Sequence, residues 1–254
     1  MTISQLYSAL DTKYPRSTAM PGDVDGLQVC FDYNAPVRRV LLTLDITLNA
    51  AKYAVANGFD TIVAHHALIY SPIAELRPDC PTAARIIVLS AGRVNTISLH
   101  TRLDTAADGV NACLAQVLQL SDIAPFYHNG FSAGLIGTLP KPMTANELAQ
   151  FGSEQLNTHV TYTPTDKLIH KIAICGGGGS HYLSSVPSLG VDAYFTGELK
   201  HSDIVAYAPM ELPLFMAGHH ETEFPVMQSL AATIAQLDSE IYTEIYDSAL
   251  VRQS

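Results

Sequence analysis

Residues 61–70 are Thr61-Ile62-Val63-Ala64-His65-His66-Ala67-Leu68-Ile69-Tyr70, and this stretch decides the fold that the sequence predicts. Its first four residues are apolar or β-branched, and the turn-forming pair Ser71-Pro72 follows it. The pattern predicts a short buried strand that runs into a loop. His65 and His66 therefore stand at the C-terminal end of a strand, where ligands collect in open α/β sheets.

The two adjacent histidines have two interpretations. Neighbouring residues on a strand point to opposite faces, so His65 and His66 are not expected to hold one metal ion from the same side. They can instead serve two ions that lie side by side. Alternatively, one histidine is a hydrogen-bonded core residue and the other is exposed. Potential ligands at the ends of other strands favour the metal interpretation.

Length and composition exclude several classes of protein. The chain has 254 residues, 27.4 kDa and 48% hydrophobic residues, enough for one large α/β domain or two small ones. Its formal charge of -10 argues against a nucleic-acid binder, which needs a basic surface. Its four cysteines form no C-x-x-C pair, so neither a disulfide framework nor a sulfur-ligated zinc site is predicted. With no signal segment and no long apolar run, we expect a cytoplasmic protein with no membrane contact.

Strands and helices alternate in the first half of the chain. Residues 3–13 predict an amphipathic helix, and residues 37–45 predict a buried strand. Residues 49–56 and 82–91 predict two further helices, and residues 94–99 predict a third strand. This alternation predicts an α/β fold with a mainly parallel sheet and right-handed crossovers. The C-terminal ends of such strands meet at one edge of the sheet.

The segment His100-Thr101-Arg102-Leu103-Asp104 follows the third strand. We expect the His100 imidazole and the Asp104 carboxylate to lie level with the two adjacent histidines. Alternatively, Asp104 and Asp108 cap the helix predicted from about residue 110, a common role for Asp.

A second α/β run follows residues 125–134, which are rich in Pro, Asn, Gly and Ser, a composition typical of a domain boundary. We therefore predict an α/β domain at residues 1–125 and another at residues 126–254, whose C-terminal helix and strand can pack back on the first. The elements predicted in the second run are strands at residues 135–139, 159–162, 171–175, 192–195, 213–217 and 241–246, and helices at residues 145–156 and from about residue 218 to 237.

Two further strand ends carry polar residues. One strand leads to Thr196-Gly197-Glu198-Leu199-Lys200-His201, and the next leads to Gly218-His219-His220-Glu221-Thr222-Glu223. Glu223 lies four residues after His219 at a helix start, where the helix dipole favours its charge. Another strand precedes the run Gly176-Gly177-Gly178-Gly179, which can cradle a phosphate but matches no phosphate-loop pattern, so we expect a tight strand-to-helix turn.

These strand ends supply imidazole and carboxylate donors without a thiolate, a set that suits zinc, manganese, iron or cobalt. Five such ligands cannot saturate two ions, so water must complete the coordination. Two ions about 4 Å apart can bring the pKa of a shared water toward 7 and attract an anionic substrate. Glu198, His201 and His100 are then candidates for proton transfer or for orienting the ligands. The five ligands in question are His65, His66, Asp104, His219 and Glu223.

Five motifs in this order resemble the GTP cyclohydrolase I type 2 homologue family, whose members are also called NGG-interacting-factor-like dinuclear-metal proteins. The resemblance spans nearly the whole chain. The motifs are Val24-Asp25-Gly26-Leu27-Gln28-Val29, His65-His66-Ala67-Leu68-Ile69, His100-Thr101-Arg102-Leu103-Asp104 with Gly109-Val110-Asn111, Thr196-Gly197-Glu198, and Gly218-His219-His220-Glu221-Thr222-Glu223.

The resemblance implies two α/β domains with mixed, mainly parallel sheets and a pair of divalent metal ions at the strand ends between them. It also implies a toroidal homohexamer and assigns the five ligands named above to the metals, with Glu223 as the bridge. The sequence departs from the family at Ala67, where proline often stands, and at Asp25, where the family usually has another residue.

Two functions follow from the resemblance. The first is a dinuclear metal-dependent hydrolase, in which activated water attacks a small anionic substrate such as a nucleotide or related heterocycle; opening of the GTP ring is the activity in the family name. The second is a non-catalytic metal-binding scaffold or regulatory interaction protein.

Overall fold

The computed structural model of the chain describes residues 1–250 and shows a mixed α/β protein with two sheets. Its internal contacts divide it into two compact units. The first unit combines Met1–Leu103 with Met227–Leu250, and the second contains Asp104–Val226. The division falls between Leu103 and Asp104, whereas the composition of the sequence places a boundary at residue 125.

The helices and strands follow one another along the chain in a broken α/β rhythm. The helices are α1 (Ile3–Lys13), α2 (Leu48–Ala56), α3 (Pro81–Gly92), α4 (Thr101–Asp104), α5 (Val110–Val117), α6 (Ala145–Leu156), α7 (His201–Tyr207), α8 (His219–Glu223) and α9 (Val226–Leu237). The strands are β1 (Gly26–Val29), β2 (Arg39–Thr43), β3 (Thr61–Ala64), β4 (Asn95–Ser98), β5 (Ser121–His128), β6 (Phe131–Met143), β7 (Thr161–Tyr162), β8 (Ile169–Gly178), β9 (Ala193–Glu198), β10 (Leu214–Met216) and β11 (Tyr242–Ile245). Within residues 1–250, no helix combines the length and apolar character that crossing a bilayer requires.

The sheet of the first unit has the strand order β1-β4-β3-β2-β11. Strands β11, β2, β3 and β4 are parallel, and only β1 pairs in the antiparallel sense, with β4. Every residue of β3 and β4 is buried, as expected for central strands of a parallel sheet that is covered on both faces. The predicted mainly parallel sheet is confirmed here, and the C-terminal strand β11 belongs to it.

Helices α2 and α3 pack against an apolar face of this sheet. Ile62 of β3 packs with Ala54 of α2 and Leu89 of α3 in one hydrophobic cluster, and all three are fully buried. Thr2 caps α1 through a capping box with Gln5, so the helix begins where the sequence predicts it. Burial of these faces removes apolar surface from water and supplies the main driving force for folding.

The sheet of the second unit has the order β5-β6-β8-β9-β10-β7 and is mixed. Only the β8–β9 and β9–β10 pairs are parallel, so antiparallel pairs outnumber them. The segment 125–134, whose composition is typical of a boundary, forms the end of β5, a turn and the start of β6. Asn129 and Gly130 have φ of 49° and 82°, which suits the tight turn of a β-hairpin.

Two sequence predictions in the second half are corrected. The glycine run does not form a strand-to-helix turn, because β8 continues through Gly178 and a bulge near Cys175 shifts its register with β9. The predicted long helix from residue 218 is two helices, α8 and α9. Pro225 lies between them and lacks the N–H that a continuous helix would need.

A buried ion pair links the residue before β1 to helix α4, which follows β4. The Arg102 side chain is fully buried, and its Nε lies 2.7 Å from Oδ2 of Asp25, which is also buried. Arg102 also donates to the carbonyl of Tyr14 at 2.9 Å. Asp25 and Asp11 therefore both compensate the charge of the buried guanidinium.

We predict that Asp25→Ala destabilises the first unit by about 3–5 kcal/mol, because it removes one partner of a buried ion pair. Urea denaturation followed by circular dichroism measures the effect. Asp79→Ala is the matched control, since Asp79 pairs with Arg77 at an exposed site and such pairs contribute little. Equal midpoints for the two variants would contradict the role given to Asp25.

Candidate metal centre

Three histidines of the first unit converge beyond the ends of β3 and β4. The His65 N–H donates to the carbonyl of Thr43 at 3.2 Å and the His66 N–H donates to that of Leu44 at 2.9 Å, so the backbone stays fixed past the strand end. His100 follows β4. One potential ligand atom from each of His65, His66 and His100 lies within 4.8 Å of the others.

The expectation that His65 and His66 point to opposite faces is wrong. Their ring centroids lie 4.7 Å apart. Strand β3 ends at Ala64, one residue before the pair, so the alternation of side chains along a strand no longer applies. Both imidazoles can therefore approach one ion from the same side.

Nδ1 of each of these histidines forms a hydrogen bond with an oxygen atom of the first unit. Nδ1 of His65 lies 3.1 Å from the Leu99 carbonyl oxygen, and Nδ1 of His66 lies 2.9 Å from Oδ1 of Asp45. Nδ1 of His100 lies 2.7 Å from Oδ1 of Asp23. Metal-binding histidines characteristically donate one ring N–H to such an oxygen, which fixes the ring and directs the other nitrogen, here Nε2, to the metal.

The Asp23 side chain is itself held in place by burial and by hydrogen bonds. Its side chain is 4% exposed, and its Oδ2 accepts hydrogen bonds from both the backbone N–H and the hydroxyl of Thr101. Burial raises the pKa of the Asp23 carboxyl, but the hydrogen bonds from His100 and Thr101 and the charge of His100 lower it more. The net effect is a pKa well below the usual range, so Asp23 remains an anion facing His100.

Gln28 holds the loop that follows the adjacent histidines. Its Nε2 donates to the carbonyl of Ile69 at 2.8 Å, and its Oε1 accepts from the Ile69 N–H at 3.0 Å. This two-point contact fixes the backbone three residues after His66. The Leu-Gln-Val segment of the sequence thus has a positioning role.

The second unit brings His219, Glu223 and Glu198 together at the start of α8. Nε2 of His219 lies 3.1 Å from Oε1 of Glu223, one helical turn later, and its Nδ1 lies 3.0 Å from Oε1 of Glu198. Burial lowers the pKa of His219, but the two carboxylates raise it more, to about 10. A metal ion at Nε2 would have to displace the proton that these carboxylates stabilise.

The glycine run gives the backbone the close approach that this arrangement needs. Gly177 has φ of +64°, and a Cβ there would lie 2.1 Å from Oε1 of Glu223 and 3.0 Å from Nε2 of His219. At Gly197 a Cβ would lie 2.8 Å from the Cα of His219. Side chains at these two positions would displace the donors, so glycine is required for packing against them rather than for a turn.

Asn111 connects Asp104 to the glycine run of the second unit. Asn111 donates from Nδ2 to the carbonyl of Asp104 at 3.0 Å and accepts from the Gly176 N–H at 2.9 Å, which ties Asp104 to the glycine run. Burial raises the pKa of the Cys175 thiol, and the nearby charges of Asp104 and Glu223 raise it further. The Cys175 thiol therefore stays protonated at neutral pH.

The structure refines the roles of the predicted proton-transfer residues. Glu198 contacts His219, so it is a positioning residue for that imidazole, and His100 belongs to the histidine group of the first unit. His201 begins α7 and is exposed, and the contacts described above do not include it.

Four positioning residues were not identified from the sequence. Asp45 is the last residue of the strand predicted at residues 37–45, so its position at a strand end could have identified it as a site residue. Asp23 lies 77 residues from its partner His100, and no local pattern links them. The four are Asp23, Asp45, Gln28 and Asn111.

These His and Glu donors could hold a metal ion. The first unit offers three imidazoles, and the second offers one imidazole and carboxylates. Each imidazole is oriented through Nδ1, and glycine backbone leaves space beside Glu223. Nitrogen and oxygen donors of this kind suit first-row divalent metals, and the absence of thiolates disfavours softer ions.

Known proteins similar to this chain agree with the family resemblance. A "GTP cyclohydrolase 1 type 2 homolog" from a Nostoc species is 31% identical over 206 residues, 79% of this chain and 78% of its own. A "Protein NIF3 homolog" from Schizosaccharomyces pombe is 29% identical over 99% of this chain and 94% of its own. The Staphylococcus aureus hypothetical protein SA1388 has the same fold, with a TM-score of 0.88 at 25% identity over 98% of this chain and 97% of its own.

The family model described as Duf34/NIF3 (NGG1p interacting factor 3) matches residues 1–250. The family predicted from the five motifs is therefore confirmed. Since the match spans all the described residues, this chain belongs to the Duf34/NIF3 family.

Proposed function

We propose that the chain is a dinuclear metal-dependent hydrolase. The proposed metal ligands are His65 and His66 in the first unit and Asp104, His219 and Glu223 in the second, and the proposed cofactor is a pair of divalent ions. The observation that carries the proposal is the orientation of the imidazoles. His65, His66 and His219 each direct Nδ1 to an oxygen, which is the arrangement of metal-binding histidines.

Two of the candidate residues are close in the sequence, since Asp104 follows His100 by four positions. The Glu223 side chain is 5% exposed, and a buried carboxylate is favoured by pairing with a cation.

The proposed substrate is a small anion, of which a nucleotide is the leading example. Two dications and two carboxylates leave a local charge of about +2, which attracts phosphate within a protein of net charge -10. Several relatives are named GTP cyclohydrolase 1 type 2 homolog, which is consistent with a nucleotide. Bound ions of this kind supply Lewis acidity and acidify water for hydrolysis.

The chain's own residues have distinct parts in this proposal. Glu198 contacts Nδ1 of His219 and Asp45 contacts Nδ1 of His66, so Nε2 of each ring is the nitrogen that would bind an ion. His201 is a candidate for proton transfer if the α7 region approaches a bound substrate. We further propose a toroidal homohexamer as the assembled form, in line with the family resemblance.

The second candidate is a non-catalytic metal-binding scaffold. The family description names an interacting factor, which favours a protein partner rather than a substrate. The two functions predict different results with the same purified protein.

We predict that metal-stripped protein takes up two equivalents of Mn²⁺, Zn²⁺, Fe²⁺ or Co²⁺, measured by elemental analysis after gel filtration. With the correct metal it converts a member of a panel of nucleotides, cyclic phosphodiesters and pterins. Asp104→Ala and Glu223→Ala should each lower this turnover at least ~100-fold, because each removes a metal ligand. Glu221→Ala, two residues before Glu223 on α8, is the matched control and should retain turnover.

Two outcomes would reject the hydrolase. If the protein binds no metal, the proposed centre does not exist. If it binds two ions but converts no compound of the panel, while affinity capture returns one protein in stoichiometric amount, the scaffold function replaces it.

We also predict that Gly177→Ala weakens metal binding at least ~10-fold, because the new methyl group displaces Glu223 and His219. Gly190→Ala is the matched control. Gly190 has nearly the same φ, +65°, but a Cβ there meets nothing within 4 Å. Both variants carry the backbone strain of a positive φ, so Gly190→Ala shows the effect of this strain alone, and titration calorimetry compares the metal affinities of the two folded variants. Equal affinities would contradict the role of Gly177.

A further inference from the structure

We propose that the second unit carries a separate cation site, built from His128, His181 and Asn129, that holds one nitrogen-preferring divalent ion such as Cu²⁺. His128 ends strand β5, and Asn129 follows it in the turn to β6. His181 lies three residues after β8 ends at Gly178. Neither histidine belongs to the donor groups of the candidate metal centre, so this proposal does not depend on that centre.

The two imidazoles have the separation that one ion requires. Two imidazoles that bind one ion through nitrogens about 2 Å from the metal have ring centres roughly 5 Å apart. The ring centroids of His128 and His181 lie 5.2 Å apart, with their planes inclined at 64°. Within residues 1–250, no hydrogen bond engages the His181 ring, so either of its nitrogens is available to the ion.

The hydrogen bonds of His128 leave its lone pair on Nε2. Nδ2 of Asn129 lies 3.1 Å from this nitrogen, and an amide nitrogen can only donate. The ring proton is therefore on Nδ1, which donates to Oγ of Ser185 at 2.8 Å. This is the arrangement of a metal-binding histidine, in which an oxygen holds one ring N–H and the other nitrogen faces the ion.

The Asn129 amide supplies the third ligand. When the amide turns by half a rotation, Oδ1 takes the place of Nδ2 and offers its lone pairs to a cation. Two ligand atoms that are each about 2 Å from one ion are roughly 3 Å apart. The amide of Asn129 already lies 3.1 Å from Nε2 of His128, so one ion can contact both residues without movement of the backbone. Water completes the coordination.

A buried tyrosine packs against both rings. Tyr182 is 8% exposed, and its ring centroid lies 5.8 Å from that of His128 and 5.2 Å from that of His181. Phe131 stacks on the Tyr182 ring at 6.1 Å. Ser185 is fixed in turn, because its N–H donates to the Tyr182 carbonyl at 3.0 Å. The rings are thus partly ordered before an ion binds, which lowers the entropic cost of binding.

Charge and donor type determine the class of ion. Residues 121–134 and 176–190 contain no Lys or Arg, so the two segments that carry the histidines bring no fixed positive charge to the site. Neutral imidazoles with an amide oxygen form a nitrogen-rich set, for which Cu²⁺ has the highest affinity among divalent first-row ions. His181 is exposed, so the ion exchanges with solvent, unlike the ion of a closed structural site.

Equilibrium dialysis of the full-length protein against buffered Cu²⁺ counts bound ions, including exchangeable ones that gel filtration removes. His128→Ala and His181→Ala should each lower the affinity of one bound equivalent at least ~10-fold, because each removes one of the two imidazoles. His170→Ala is the matched control. It removes an exposed histidine from β8 and should bind Cu²⁺ as wild type does.

Two further variants test the other parts of the site. Asn129→Asp keeps the size of the side chain and suits the positive φ of this position, 49°. Its anionic carboxylate should raise the affinity of the same equivalent at least ~10-fold. Ser185→Ala removes the oxygen behind His128 and should lower that affinity about 10–100-fold. Thermal midpoints establish that each variant is folded before affinities are compared.

The proposal is overturned if either folded variant, His128→Ala or His181→Ala, binds Cu²⁺ as wild type does. It is also overturned if Asn129→Asp and Ser185→Ala leave the affinity unchanged. Neither result bears on the proposed hydrolase, because a protein that fails this test can still hold two ions at the candidate metal centre.

Discussion

The hydrogen bond from Nδ1 of each site histidine to an oxygen of the fold is the interaction on which the candidate centre depends. An imidazole on a flexible side chain would present either nitrogen in many directions. Here Leu99, Asp45 and Asp23 hold His65, His66 and His100, and Glu198 holds His219. The oxygens come from strand ends or from segments packed beside them, so the sheets determine where the Nε2 atoms lie.

Close packing of backbone is the second constraint. The second unit places His219 and Glu223 against glycines, and a side chain at Gly177 would occupy the position of the Glu223 carboxylate. The first unit uses a fully buried Arg102 with Asp25 to secure the segment that carries His100. Stability and site geometry are therefore linked, since Asp25 lies two residues from Asp23 just as Arg102 lies two residues from His100.

Elements with a strong local pattern could be predicted from the sequence. Strand β3 and helices α1 and α6 have the predicted bounds, because their apolar residues repeat with the period of the structure they form. Strand β5 gave no such signal, since its first five residues are all exposed, and α7 buries none of its residues. The family and the mixed α/β fold were predicted correctly because five motifs in order are far more specific than any one pattern.

The arrangement of side chains at the site was less accessible. The contact between Asp23 and His100 joins residues 77 positions apart, and only the antiparallel pairing of β1 with β4 brings their segments together. The shared orientation of His65 and His66 arises because β3 ends at Ala64, so the alternation of side chains along a strand does not extend to the pair. The glycine run was recognised as unusual, but its reason lies in side chains more than 40 residues later.

Nitrogen NMR of the imidazole rings tests the central claim most directly. In protein labelled with ¹⁵N at histidine, addition of Zn²⁺ should shift the Nε2 resonances of His65, His66 and His219 to metal-bound values while Nδ1 of each ring remains protonated. Metal binding through Nδ1, or no change at these rings when zinc is bound, would contradict the claim that the fold directs Nε2 of each histidine to the metal.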